Sequence, residues 1–170
     1  QIPSLKEGDR KLKKGWLKRL ILGKENITAF QKPVNVIGFS PDNCIVFEQG
    51  NGTLFIIEND KIEIPKLLRK KSTYFPSLVG ACLLPDKSIL FTDSKLNKIF
   101  SLSEDKKQLT ELNKDFELSQ PTGIAYSNQK NQIWVVETGK HQIHILNRSG
   151  QLIKTFGQRG TGKAEFNFPT

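Results

Sequence analysis

An all-β fold of repeated four-stranded blades, a β-propeller, is what this sequence predicts, and three observations predict it. Prolines at positions 33, 76, 121 and 169 open similar segments, and the intervals of 43, 45 and 48 residues match one propeller blade of about 40–50 residues. The apolar residues come in short runs rich in Val, Ile and Phe, as strands require. Turn residues such as Pro41-Asp42-Asn43 and Pro85-Asp86-Lys87 punctuate those runs. Solenoid helix pairs share a similar period, but helices do not survive such frequent interruption.

Residues 1–15 are strongly basic with little apolar periodicity and read as a leader or linker. Residues 16–23, Trp16 to Gly23, resemble the later segment Gln151 to Gly157, yet no inner strands precede them. They are therefore expected to form an orphan outer strand, of the kind that closes a ring by pairing with its last blade. Three blades follow, at about 33–75, 76–120 and 121–168. In the third and clearest, strand a covers Gly123 to Tyr126 and a polar hairpin spans Ser127 to Asn131. Strand b is Ile133 to Val136, strand c Ile143 to Leu146 and the outer strand d Leu152 to Phe156, after a turn at Asn147 to Gly150. The second blade repeats b and c at Ile89 to Thr92 and Ile99 to Leu102. The first places them at Ile45 to Phe47 and Leu54 to Ile57.

In the third unit, Pro121-Thr-Gly-Ile-Ala125 is followed by Ile133-Trp-Val-Val-Glu-Thr-Gly-Lys-His-Gln-Ile-His-Ile-Leu-Asn147 and then by Gly150-Gln-Leu-Ile-Lys-Thr-Phe-Gly157. With the Phe166-Asn-Phe-Pro169 that opens the next unit, these segments resemble an NHL repeat. The second unit matches less fully, and the first keeps the spacing but carries Gly50-Asn51-Gly52 where the family usually has Asn-His. The resemblance, which spans roughly residues 16–170, implies a six-bladed ring. Such a ring needs roughly 270 residues at about 45 per blade, so the expectation is an incomplete ring whose missing blades belong to a longer parent chain. Two copies closing one ring is the alternative, against which the orphan strand argues.

The chain carries 26 Lys and Arg against 17 Asp and Glu, a net charge of +9 and a pI of about 9.6. Such a balance suits acidic partners: a protein, an anionic ligand or glycan, nucleic acid, or an anionic membrane surface. No apolar stretch approaches the roughly 18–20 residues of a membrane-spanning helix. In a propeller the b–c and d–a loops emerge on one face and the a–b and c–d turns on the other. The first face receives Lys24, Lys32, Lys66, Arg69, Lys70, Lys71, Lys95, Lys98, Lys114, Lys140, Arg159 and Lys163, against Glu25, Asp115, Glu117 and Glu165. The second receives Lys61, Lys87, Lys106, Lys107, Lys130 and Arg148 against Asp42, Glu58, Asp60, Asp86, Glu104 and Asp105, which balance. The excess charge is thus polarised, and Lys32, Lys95, Lys98, Lys140, His141 and Arg159 are the candidate ligand-binding residues. Lys95, Lys98, Lys140 and His141 are expected nearest the channel mouth.

Catalytic signatures are weak. Glu48, Asp93 and Glu137 close strand b in each unit, and such repetition is what a structural hydrogen bond to the following turn produces, with a metal site as the sharper alternative. Zinc catalysis needs about three protein ligands and an open position. The only histidines are His141, at an ordinary repeat position, and His144, expected to point outward. No nucleophile elbow marks a Ser/His/Asp site. Gly157-Gln-Arg-Gly-Thr-Gly-Lys163 lacks the spacing of a phosphate loop and reads as a d–a connection. Cys44 and Cys82 lie in apolar runs, compatible with buried thiols or with a disulfide.

The expectation is therefore a non-catalytic binding or scaffold propeller, with no cofactor or metal, that engages a protein or anionic ligand through its basic face. The alternative implied by the resemblance is a fragment of a lyase-like or lactonase-like propeller enzyme whose metal ligands lie in missing blades. RNA binding is a second alternative, since some NHL domains use the corresponding face for RNA. A stacking reader of RNA would need exposed aromatics, and the loops offer Tyr74, Phe75 and Phe166, each beside a proline that opens a repeat. Loose resemblance to exported bacterial propellers suggests a periplasmic or cell-surface location.

Overall fold

The computed structural model describes residues 30–69 and 74–170. The leader at 1–15, the outer strand expected at 16–23, and Lys24, Glu25, Lys70 and Lys71 lie outside the described residues. Among the described residues twelve strands form three four-stranded antiparallel sheets, each in simple up-and-down order. The first blade comprises β1 (Pro33–Ser40), β2 (Asn43–Glu48), β3 (Thr53–Glu58) and β4 (Lys61–Glu63). The second comprises β5 (Leu78–Leu83), β6 (Ile89–Asp93), β7 (Lys98–Leu102) and β8 (Leu109–Glu111). The third comprises β9 (Pro121–Ser127), β10 (Gln132–Glu137), β11 (Gln142–Asn147) and β12 (Leu152–Phe156). Within the described residues, every blade strand placed from the sequence falls on an observed one. The innermost strands β1, β5 and β9 pack successively against one another, as blades do around an axis. Among the described residues no helix is long and apolar enough to cross a membrane.

Register corrects one marker. Pro33 pairs with Glu48 and Pro121 with Glu137, but Asp93 pairs with Leu78 rather than Pro76. Pro76 precedes its strand by two residues, so Leu78 is the equivalent of Pro33 and Pro121.

Period-2 alternation in strand b sends successive side chains to opposite neighbours. Ile45 and Phe47 point from the first blade into a cluster completed by Ile89 and Phe91 of the second. Leu90, between those two, points the other way and meets Ile133 and Val135 of the third. The middle blade is therefore covered on both faces, and all five residues of β6 are buried. In the third blade only one face is covered by described residues, and β10 alternates: Ile133, Val135 and Glu137 are buried while Trp134 and Val136 are half-buried. Edge-to-face contacts of Phe75 with Phe91 and Phe100, at 5.1 and 5.2 Å, fasten the link between the first two blades. Cys44 and Cys82 are free thiols, and burial pushes the Cys82 pKa up to about 12.

Phe91→Ala should cost about 3–5 kcal/mol, because both faces around it are filled. Trp134→Ala, on the open face, should cost less than half of that. Urea denaturation of the two variants measures the difference, and equal losses would mean that Trp134 is as fully packed as Phe91.

Candidate functional site

The b–c and d–a loops bring the candidate residues to one end of the blades, and that end is organised by the three repeated carboxylates. Each is fully buried. Glu48 accepts hydrogen bonds from the backbone N–H groups of Gln31 (3.2 Å) and Lys32 ahead of β1, and from Gly50 (3.2 Å) and Asn51 (2.5 Å) in its turn. Asp93 accepts from Ser77 ahead of β5 at 2.9 Å and from Lys95 and Leu96 at 2.9 and 2.8 Å. Glu137 accepts from Ser119 ahead of β9 at 2.6 Å. Glu48 and Asp93 make the expected hydrogen bonds to the following turn, and in all three blades the carboxylate pins the lead-in to its own strand b. Burial raises the Glu48 pKa, but the four backbone donors outweigh it and hold the carboxyl below its usual range.

The residue after each carboxylate reaches the next blade. Gln49 Nε2 donates to Leu78 O at 2.7 Å, Ser94 Oγ to Pro121 O at 2.6 Å, and Thr138 Oγ1 to Pro169 O. Pro169 thus takes against Thr138 the place that Pro121 takes against Ser94. Further along the turns of the second and third blades a left-handed residue repeats the device. Asn97 (φ 57°) accepts from the Gln120 N–H at 2.8 Å, and His141 (φ 57°) accepts through Nδ1 from the Phe168 N–H at 3.0 Å.

Of the candidate ligand-binding residues, His141 is buried and occupied by this bond and by an edge-on contact with Phe168 at 4.7 Å. Lys98 is drawn outward to Glu111 on β8, at 2.5 Å, rather than to the channel mouth. Lys140 lies 3.2 Å from Glu137. Lys32, Lys95 and Arg159 are exposed. The Arg159 guanidinium lies 5.8 Å from the centre of the Phe168 ring.

His144 does not point outward, as the sequence led us to expect. It is 5% exposed, with Nε2 2.7 Å from Glu137 Oε2 and Nδ1 2.7 Å from Thr155 Oγ1. In the register it stands where the other blades carry Phe55 and Phe100, and the aromatic there is exchanged for a ring that bridges strands b, c and d. With Glu137 ionised, Nε2–H donates to the carboxylate and Nδ1 accepts from the Thr155 hydroxyl. A carboxylate–imidazole–hydroxyl chain results, and its burial makes it a brace across the blade. The sequence showed only a His three residues beyond another; the signal that could have found it was the break in the Phe pattern.

The Gly157–Lys163 loop binds its own carboxylate. Gly162 N–H donates to Glu165 Oε2 at 2.8 Å and Gln158 Nε2 to Oε1 at 2.7 Å, and these bonds hold the Glu165 carboxyl below its usual range. Among the described residues no three His, Cys, Asp or Glu side chains gather in a metal-ligand cluster. Of the candidate aromatics Tyr74 is exposed, Phe75 buried and Phe166 half-buried, while Phe168, not singled out from the sequence, is 60% exposed.

Comparison with known proteins agrees with this geometry. Residues 118–146 match the NHL repeat. A streptogramin B lyase structure superposes with a TM-score of 0.61 at 19% identity, over 78% of this chain and 42% of that one. Virginiamycin B lyase from Staphylococcus aureus gives 0.58 at 24% identity, over 73% and 40%. A gluconolactonase from Xanthomonas campestris gives 0.55 at 18% identity, over 71% and 46%. The chain therefore spans less than half the length of these propellers, and at such identities the likeness is one of fold. No curated protein sequence matches the chain.

Two outcomes test the braces. Because folding lowers the Glu48 pKa, its ionised form stabilises the protein above the unfolded value of about 4.3, and that contribution is lost as the pH falls through the lower, folded value. Glu48→Gln should cost roughly 1–3 kcal/mol at neutral pH, with the gap to wild type closing on acidification. A pH series of urea midpoints reads it, and a pH-independent gap contradicts the assignment. His144→Phe restores the residue type of the other blades but strands Glu137 Oε2, and should lower stability by about 1–3 kcal/mol. A neutral result would mean that the imidazole braces nothing.

Proposed function

From a chain that carries an NHL repeat within a partial β-propeller, we propose a non-catalytic binding platform that engages an acidic protein segment or anionic ligand through the b–c and d–a loops. The observation that supports this reading most is the disposition of charge there. Glu48, Asp93 and Glu137 are consumed by structural hydrogen bonds, and Glu165 by its own loop. Lys32, Lys95, Lys114, Lys140, Arg159 and Lys163 stand exposed at the same end against exposed Asp115 and Glu117, so basic groups outnumber acidic ones on the surface presented outward. The remaining blades, supplied by a longer parent chain, would complete a six-bladed ring and extend this surface. In a bacterial exported protein such a surface would face extracellular or periplasmic partners.

A second reading, a fragment of a propeller enzyme with lyase-like or lactonase-like activity, draws on the similarity to streptogramin B lyase and gluconolactonase structures. In it the catalytic ligands would come from other blades. An RNA-binding role draws on exposed Phe168 beside Arg159.

A fluorescein-labelled oligoglutamate peptide is a suitable probe. The double charge reversal Lys95→Glu/Arg159→Glu should weaken its binding by at least about tenfold, with affinity falling steeply with salt. Lys130→Glu on the opposite face should leave it unchanged. Equal weakening by both variants would sink the face assignment. Tighter, salt-steep binding of a single-stranded RNA oligomer would favour the RNA reading, and turnover of a lactone or a streptogramin by the full-length protein would favour the enzyme.

A further inference from the structure

The opposite end of the blades carries a second site, at the seam between the first and second blades. The seam between the second and third is closed by an ion pair: Arg148, in the turn between β11 and β12, reaches Asp86, in the turn between β5 and β6, at 2.5 Å. Hydrogen bonds fix the equivalent positions one blade earlier. Gly150 N–H donates to Asn147 O as Lys106 N–H donates to Ser103 O, so Glu104 stands where Arg148 stands. Asp42, following Pro41, stands where Asp86 follows Pro85. The earlier seam thus sets two carboxylates opposite each other, and Glu104 turns instead to Lys87 of its own blade at 3.0 Å.

The seam stays open there as a cavity of about 420 Å³. Phe39, Leu83 and Ile89 supply apolar walls, Glu104 lines the cavity paired with Lys87, and Lys106 brings a second ammonium group 5.7 Å from the centre of the Phe39 ring. Asn43 also lines it, and its Oδ1 is buried with no hydrogen-bond partner. A buried acceptor without a donor is a cost that a ligand N–H would relieve.

We propose that this seam binds a small amphipathic carboxylate with an adjacent N–H donor, the chemistry of an N-acylated apolar amino acid. The carboxylate is held by Lys106, with Lys87 shared between it and Glu104, the apolar side chain lies on Phe39 and Leu83, and the N–H meets Asn43 Oδ1. This site lies at the other end of the blades from the basic loops and does not depend on the function proposed for them.

The test titrates the ¹⁵N-labelled chain with N-acetyl-L-leucine up to millimolar concentrations, with N-acetyl-L-leucinamide and 4-methylpentanoate as controls lacking the charge and the N–H. The expected result is saturable shifts confined to the amides of Gly38, Asn43, Ile89 and Lys106, with both controls about tenfold weaker. Lys106→Gln should weaken N-acetyl-L-leucine about tenfold and leave the leucinamide unchanged. Asn43→Ala should abolish the advantage over 4-methylpentanoate. Equal binding of acid and amide, shifts scattered over the chain, or no saturable shift at all would overturn the proposal.

Discussion

Everything in this fold hangs from the carboxylate at the end of strand b. A blade is a twisted four-stranded sheet, and its two weak points are the chain that leads into its innermost strand and the turn that leaves strand b. Glu48 and Asp93 bind both with backbone N–H groups. Glu137 binds its lead-in through Ser119 and meets its turn through Lys140. A carboxylate is suited to this because its two oxygens accept several donors at once, and because it has no donor of its own to leave unsatisfied. The residue that follows then ties the blade to its successor, so cohesion within a blade and between blades passes through two adjacent residues. Apolar burial supplies most of the free energy, but these polar contacts fix the angle at which the apolar faces meet.

Much of this was legible in the sequence, since repetition multiplies a weak local signal. One run such as Ile-Leu-Phe-Thr is ambiguous between strand and buried helix, whereas three such runs at a constant period, each closed by an acid, are not. The outer strands of the first two blades, Lys61–Glu63 and Leu109–Glu111, were not placed because three residues carry no periodicity. The offset of Pro76 escaped for a related reason: proline marks a constrained φ, and that constraint can sit in the lead-in as well as in the strand.

The site was less legible than the fold. Sorting charges by loop put Lys98, Lys140 and His141 at the basic end, but a loop position does not say where a long side chain goes. Lys98 bends along its sheet to Glu111, because strand d lies beside strand c and an acid is available there. His141 turns inward, because a left-handed residue at that point of the turn aims its side chain at the next blade, as Asn97 does. Charge at such an end is therefore divided between residues that hold the repeat together and residues left over. Among those singled out, Lys32, Lys95 and Arg159 belong to the second group and stand exposed, as does Lys140 beside its pairing with Glu137.

The same division explains why departures from the repeat are the informative positions. Where three blades share a residue type, the shared requirement is structural, and Glu48, Asp93 and Glu137 show what it is. Where one blade departs, the contact is either rebuilt or lost. His144 rebuilds it: an imidazole replaces the phenyl ring of Phe55 and Phe100, and both of its nitrogens find partners inside the blade. Glu104 loses it, since an acid in the place of Arg148 cannot pair with Asp42, and no side chain among the described residues fills the space. A rebuilt contact stays buried and serves stability. A lost one leaves walls and charges open to solvent beside a buried, unpaired acceptor, and those are the elements from which a ligand site is made.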